Sequence, residues 1–122
     1  MCGIFGYKWT QRGAEALLLH GLERLEYRGY DSAGLWVSDG DGNTQLIKAV
    51  GKVSELANRV AKEVPRTARY TMGIAHTRRA THGGITLMNT HPHQDMHGNF
   101  TVVHNGIIEN YHKLKQELIS KW

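Results

Sequence analysis

Apolar residues recur at the spacing of an α-helix in two stretches of the chain. Residues three and four apart lie on one face of a helix, so such a stripe can be turned towards a core. The stripes predict helices over 12–26 and 53–63, the second ended by Pro65. Their members are Ala14, Leu17, Leu18, Leu22 and Leu25 in the first stretch, and Val53, Leu56, Ala57, Val60, Ala61 and Val64 in the second.

Shorter apolar runs, bounded by turn-forming residues, are typical of β-strands. They predict strands over 2–8, 33–38, 44–50, 71–76 and 100–104. The turn sequence Asp39-Gly40-Asp41-Gly42-Asn43 joins the second and third of these and predicts a hairpin. The stretch 77–97 is rich in Thr, His, Gly and Arg and has no usable period, so we predict a loop there.

A last helix is predicted over 110–120. Asn110 is expected to cap its N-terminus, with Tyr111, Leu114 and Leu118 facing inward. The predicted order of elements is β, α, β, β, α, β, β, α, which is an α+β arrangement with antiparallel sheet.

Composition narrows the class of protein. A chain of 122 residues is expected to form at most one domain. The net charge of +4 comes from scattered basic residues without interleaved aromatics, which argues against a nucleic-acid surface. There is no apolar run long enough to span a membrane, no signal peptide pattern and only one cysteine, so a cytoplasmic protein is expected.

That single cysteine, Cys2, directly follows Met1. If Met1 is removed, Cys2 carries both a thiol and a free α-amino group, whose ordinary pKa is about 7.7–8.0. Nucleophile and general base then belong to one residue. With Met1 in place the nitrogen is an amide and cannot accept a proton. The alternative is that Cys2 is simply a small hydrophobic residue opening a strand.

Two further segments hold polar residues that a core does not need. Arg78, just past a predicted strand, offers a planar fork for a carboxylate, and Thr81 and His82 can add donors beside it. Asn105 and Gly106, at the end of another strand, offer an amide and an unhindered N–H to an oxyanion. The alternatives are a surface cation at Arg78 and an ordinary turn at Asn105-Gly106.

The histidines raise the question of a metal. His91 and His93 lie two apart, and His76, His82, His97 and His104 are further candidates. None of the usual zinc-ligand spacings is present. We therefore expect no metal and no cofactor, with the histidines serving loop structure or hydrogen bonding.

Several motifs resemble one family. The matching stretches are Cys2–Gly6, Leu25–Gly34, Gly73–Arg78, Ala80–Gly83, His91–His93 and Val103–Asn110. Together they resemble the glutaminase domain of glucosamine-6-phosphate synthases, which are class II glutamine amidotransferases. Cys-Gly-Ile-Phe-Gly alone fits several branches of that class. The runs Tyr-Arg-Gly-Tyr-Asp-Ser-Ala-Gly and His-Asn-Gly-Ile-Ile-Glu-Asn are more specific, and favour the synthase over the amidophosphoribosyltransferase and asparagine synthetase branches.

The resemblance implies a fold and a set of roles. The fold is the four-layer αββα sandwich of N-terminal-nucleophile hydrolases. Cys2, once exposed, attacks the side-chain amide of L-glutamine, Asn105 and Gly106 hold the oxyanion, and Arg78, Thr81 and His82 bind the glutamine carboxylate. Ammonia then passes to a sugar-isomerase domain that converts fructose 6-phosphate into glucosamine 6-phosphate.

The chain departs from the family in two respects. Arg79 stands where the family has a tryptophan on a loop that closes over glutamine, and the family's amine-binding aspartate falls beyond Trp122. We therefore expect residues 1–122 to be the N-terminal part of a glutaminase domain without the isomerase domain, inactive in its isolated, unprocessed form. Half a sandwich should expose sheet edges and an apolar face, so we expect a homo-oligomer or a completing chain. The alternative is a non-catalytic half-domain that binds, pairs or regulates.

Overall fold

A computed structural model describes all residues from Met1 to Trp122. The helices are α1 (Ala14–Leu25), followed by a 3₁₀ turn (Glu26–Arg28), α2 (Val53–Glu63) and α3 (Tyr111–Lys121). The strands are β1 (Gly3–Lys8), β2 (Ser32–Ser38), β3 (Thr44–Val50), β4 (Met72–Arg78), β5 (His93–Gln94) and β6 (Thr101–Val102). The predicted α+β class is confirmed, but the order of elements contains one strand more than predicted, β5. No helix is both long and apolar enough to cross a membrane.

The main sheet is antiparallel and has the strand order β1-β4-β2-β3. β4 is therefore central, and it joins β1 at the start of the chain to the hairpin formed by β2 and β3. In this register His76 lies opposite both Ile4 and Gly34, and Thr77 lies opposite both Gly3 and Ala33. The second sheet contains only β5 and β6.

Helices α1 and α2 cover one face of the main sheet. The period-2 alternation of β2 turns Ala33, Leu35 and Val37 towards them, and all three are fully buried. Leu18 of α1 and Leu56 of α2 are likewise fully buried against this face. Burying one such leucine contributes about 1.5–3 kcal/mol. The apolar stripes predicted much of the core, but two of their members, Leu17 and Ala61, are exposed.

The opposite face of the main sheet is only partly covered. The segment at His91 crosses it so closely that a Cβ added to Gly34 would lie 2.1 Å from the His91 carbonyl oxygen. Elsewhere on this face Ile74 and Trp36 are half-buried, and Ile4 is 46% exposed. This face therefore carries the segment around His91, called the histidine segment below, and beside it an incompletely covered apolar surface.

Three predictions about the second half of the chain are wrong in detail. β4 continues two residues past its predicted end at residue 76, because Thr77 and Arg78 pair with β2 and Thr77 also pairs with β1. The predicted loop 77–97 contains β5. The strand predicted over 100–104 is reduced to Thr101–Val102, because it pairs only with the two residues of β5.

α3 forms where it was predicted, but its surroundings differ from the prediction. The Asn110 side chain makes no capping hydrogen bond. Leu114 and Leu118 are 41% and 60% exposed rather than inward-facing, because no other element covers them. Only Tyr111 is half-buried, with its ring in edge-to-face contact with His82 at 4.9 Å.

Candidate active site

One cavity of about 530 Å³ lies at the end of β4. Its walls come from the start of β1, the loop that follows β4, the turn after β6 and the first turns of α3. The cavity brings together five of the predicted site residues, namely Cys2, Arg78, Thr81, His82 and Gly106. The sixth, Asn105, contacts Cys2 directly.

Cys2 is held at the entrance to β1 by the residue that follows Arg78. Its Sγ accepts a hydrogen bond from the Arg79 N–H at 3.3 Å and lies 3.5 Å from the Arg79 carbonyl oxygen, to which the thiol can donate. The pairing of β1 with β4 extends to Gly3, which lies opposite Thr77 and directly follows Cys2. The ammonium group of Met1 points away and donates to the Arg28 carbonyl at 2.7 Å.

Asn105 and Gly106 form the turn that faces Cys2. The Asn105 Nδ2 donates to the Cys2 carbonyl oxygen at 3.2 Å, and its Oδ1 lies 2.8 Å from the His76 Nε2. Gly106 has a φ of 111°, in the region that favours glycine, so its backbone approaches the cavity without a side chain in the way. An amide and a backbone N–H are thus placed beside the only thiol.

Arg78 is not the surface cation considered as an alternative above: it is only 7% exposed. Its two terminal nitrogens donate to the backbone carbonyls of Gly84, at 2.8 Å, and His82, at 2.7 Å. It belongs to none of the ion pairs, which are His20–Glu23, Arg59–Glu63 and Glu117–Lys121. A guanidinium has further N–H donors, so a buried cation faces the cavity without a counter-ion.

Thr81 and His82 lie on the exposed loop that follows Arg78. The loop is tied to the sheet where Asp31 accepts a hydrogen bond from the Ala80 N–H at 2.6 Å. Arg79, the first residue of the loop, packs its side-chain carbons over Gly29, where a Cβ would lie 2.5 Å from the Arg79 Cδ. Arg79 therefore has its side chain on Gly29, while its backbone contacts Cys2.

A group of histidines also lines the cavity, and the sequence assigned it no role at the site. The His76 and His91 rings are stacked with centroids 4.4 Å apart, and the His91 and His93 rings are equally close. Burial is the main cause that lowers the pKa of all three, that of His91 to about 3, and the charge of Arg78 adds to the effect. At His76, hydrogen bonds with Asn105 and His104 oppose this lowering of the pKa. No group of three or more His, Cys, Asp or Glu side chains is arranged to hold a metal ion.

The signal for His76 was present in the sequence. His76 follows Ala75 in β4, and period-2 alternation places the two on opposite faces of the sheet. A histidine at such a position, on the face turned away from the helices, lies where the cavity forms. What the sequence did not contain was the contact with His91, which depends on how the loop crosses the sheet.

Comparison with known proteins places the chain in a family. A profile of the family described as "Glutamine amidotransferases class-II" matches residues 21–120. The chain belongs to the class II glutamine amidotransferases. Among curated relatives of this amidotransferase domain, the glutamine–fructose-6-phosphate aminotransferase (isomerizing) of Staphylococcus epidermidis is 53% identical over 120 residues, or 98% of the chain.

Two other relatives carry the same name. The protein of Listeria innocua is 51% identical over 119 residues and that of Streptococcus agalactiae is 48% identical over 121 residues. These matches cover 98% and 99% of the chain but 19% of each relative. The amidotransferase chain therefore spans about a fifth of the length of the curated relatives it matches.

Proposed function

We propose that the chain carries the nucleophile, the oxyanion donors and the carboxylate site of a glutaminase that acts on L-glutamine. The observation that carries this proposal is the convergence of the single thiol, the Asn105-Gly106 turn and the buried Arg78 on one cavity. A thiol, donors for a developing oxyanion and a buried cation are the groups that cleavage of an amide in an anionic substrate needs.

The proposed reaction begins with removal of Met1. The freed α-amine of Cys2 accepts the thiol proton, and the thiolate attacks the side-chain carbonyl carbon of glutamine. The Asn105 Nδ2 and the Gly106 N–H donate to the oxyanion. As the tetrahedral intermediate collapses, the C–N bond breaks, the α-ammonium returns the proton to the leaving nitrogen, and ammonia departs. Water then hydrolyses the thioester to give glutamate and to regenerate the thiol.

Arg78 is proposed to bind the α-carboxylate of glutamine. Its side chain is buried, has no acidic partner and faces the cavity, so a substrate carboxylate would supply the missing counter-charge. Thr81 and His82 line the same wall and are proposed to add donors. No Asp or Glu lines the cavity, so the α-ammonium group would need a carboxylate from elsewhere in the domain.

We further propose that residues 1–122 are the N-terminal part of an N-terminal-nucleophile domain of the αββα type. The incompletely covered face of the main sheet supports this, because Ile4, Trp36 and Ile74 offer an apolar surface to a second sheet. By analogy with the relatives, the ammonia would feed a sugar-isomerase domain that makes glucosamine 6-phosphate from fructose 6-phosphate. A cytoplasmic setting is proposed because the catalytic thiol must remain reduced.

The test uses a glutamine analogue whose side chain ends in a diazoketone, which alkylates a thiol with loss of dinitrogen. The chain is prepared with Met1 retained and with Met1 removed, and alkylation of Cys2 is followed by mass spectrometry beside ammonia release from glutamine. We expect labelling at Cys2 only after removal of Met1. Loss of one oxyanion donor in Asn105→Ala should slow ammonia release in an active form about 10²–10³-fold.

Two results would overturn the proposal. Ammonia release by the Met1-retained chain at the rate of the processed chain would remove the role of the α-amine. Absence of labelling in every form, including one joined to the rest of its domain, would favour the non-catalytic half-domain.

Arg78→Lys serves as the matched variant for the carboxylate site, since it keeps the charge and loses the planar guanidinium. We expect labelling of this variant to need about 10–100-fold more analogue.

A further inference from the structure

The orientation of the Asn105 amide is fixed from two sides. Its nitrogen faces the Cys2 carbonyl oxygen at 3.2 Å, and its oxygen faces the His76 Nε2 at 2.8 Å. A carbonyl oxygen can only accept, so the group of Asn105 that faces Cys2 must be the NH₂. The Oδ1 then faces His76, and the His76 Nε2 must carry the hydrogen.

This orientation matters for the chemistry proposed above. With the NH₂ towards Cys2, Asn105 can donate to an oxyanion formed beside the thiol. If the amide were rotated by 180°, its oxygen would face the developing negative charge and repel it. Asn105 is itself exposed, so nothing but its hydrogen bonds holds one orientation over the other.

The surroundings of His76 determine which of its two ring nitrogens carries the hydrogen. It is 1% exposed, and its Nδ1 is buried without a hydrogen-bond partner. Its ring lies against that of His91, with the centroids 4.4 Å apart and the planes at 25°. A buried ring with one free nitrogen and one donating nitrogen is a neutral imidazole in the Nε2–H tautomer.

The ring of His91 supports the same turn. The His91 Nδ1 accepts a hydrogen bond from the N–H of His104, the residue before Asn105, at 3.3 Å. One ring therefore stacks on His76 and also holds the chain next to Asn105. The close approach of the His91 carbonyl to Gly34 sets how near this ring comes to the sheet.

We propose that His76 is a positioning residue, braced by His91, which fixes the Asn105 amide with its NH₂ towards Cys2. The purpose of this positioning rests on the proposed glutaminase function. The hydrogen bond between His76 and Asn105 does not, and it can be tested without turnover. His76 does not touch the reacting atoms in this scheme. It acts through Asn105, and its absence should cost rate rather than substrate affinity.

The experiment uses the full 122-residue chain labelled with ¹⁵N. Long-range ¹H–¹⁵N spectra report the His76 tautomer, and exchange of the Asn105 side-chain NH₂ with water reports its hydrogen bonds. We expect the Nε2–H tautomer in the unmodified chain. His76→Phe keeps a ring against His91 but loses the donor, and should speed exchange of the Asn105 NH₂ about three- to tenfold.

Two further variants complete the design. His76→Gln can place an amide N–H near the former Nε2 and should restore slow exchange. His93→Phe, which changes a ring beside His91 without a hydrogen bond to Asn105, should leave the Asn105 signal where it is. In a catalytically active form, His76→Phe should lower kcat with little change in KM, and His76→Gln should recover part of the loss.

The outcomes separate this inference from the proposed function. An Nδ1–H tautomer at His76, or unchanged Asn105 exchange in a folded His76→Phe chain, overturns the positioning role even if Cys2 is alkylated normally. If Cys2 is never alkylated but the tautomer and the exchange rates are as expected, the positioning role stands and the glutaminase proposal fails. A His76→Phe chain that does not fold leaves the tautomer of the unmodified chain to decide.

Discussion

Replacing Gly34 by alanine tests whether the histidine segment is seated on the sheet as described. Gly34 is buried in β2, and a Cβ there would lie 2.1 Å from the His91 carbonyl oxygen, 3.1 Å from the His91 carbonyl carbon and 3.1 Å from the Pro92 Cδ. The nearest atoms belong to backbone, which cannot rotate away as the end of a side chain can. The segment must therefore lift from the sheet or the strand must bend.

The magnitude follows from the overlap. Real Cβ contacts begin at about 3.0 Å, so the His91 carbonyl must move by about 1 Å, and overpacking of this kind typically costs about 1–3 kcal/mol. Alanine in place of glycine also lowers the conformational entropy of the unfolded chain, which offsets about 0.4–1 kcal/mol of this destabilisation. We expect a net loss of about 1–2 kcal/mol in the free energy of unfolding.

Gly6→Ala is the matched control. Gly6 is also in a strand, on the same face of the same sheet, and its added Cβ would meet only the Gly73 carbonyl oxygen at 4.0 Å. Urea unfolding followed by circular dichroism should place the midpoint of Gly34→Ala below that of the unmodified chain and leave Gly6→Ala at or above it. Equal midpoints for the two variants would refute the described packing of His91 on Gly34.

Three other predictions concern stability. Glu26→Ala removes the carboxylate that accepts the Val53 N–H at 3.1 Å and so caps α2; it should cost about 0.5–2 kcal/mol in urea, and its exposed neighbour Glu23→Ala much less. Leu56→Ala should cost about 2–5 kcal/mol, because Leu56 is fully buried; a loss below about 1 kcal/mol would contradict its place in the core. The pKa of His91 is about 3 in the folded chain against 6.5 normally, so below pH 6.5 the unfolded chain binds the proton first. The free energy of unfolding is therefore unaffected by His91 above pH 6.5. It falls as the pH drops from 6.5 towards 3, by at most about 1.4 kcal/mol per pH unit. Solvent around the half-buried ring reduces this slope, and His91→Phe should flatten it; an unchanged slope in that variant would assign the effect to other groups.

The helices and the main strands were predictable because local periodicity and burial agree there. Leu18 and Leu22 of α1, like Leu35 and Val37 of β2, occupy positions that their period alone turns towards a common core. α3 shows the limit of this reasoning. Its sequence is periodic enough to form a helix, but what lies against Leu114 and Leu118 is a tertiary question that the period cannot answer.

The sequence supplied candidates for the site through their residue types. A cysteine behind the initiator methionine and an Asn-Gly pair after a strand are candidates for a nucleophile and for oxyanion donors, and these roles remain a proposal. The burial of Arg78 and the contact between His76 and Asn105 were not predictable. Both depend on contacts between residues that are far apart in the sequence. A local period of two or 3.6 residues contains no information about such contacts.

The Asn105 turn is attached to the protein differently from the sheet that it faces. β4 is held by continuous ladders on both sides, whereas the turn is joined to Cys2, His76 and His91 through isolated hydrogen bonds that involve side chains. A segment held in this way opens at a free energy well below that of global unfolding. On warming, the placement of Asn105 beside Cys2 would therefore be lost while the secondary structure is still intact. Opening of this turn and global melting would be two separate events in this molecule, and a stabilised core alone would not make the turn more heat-resistant.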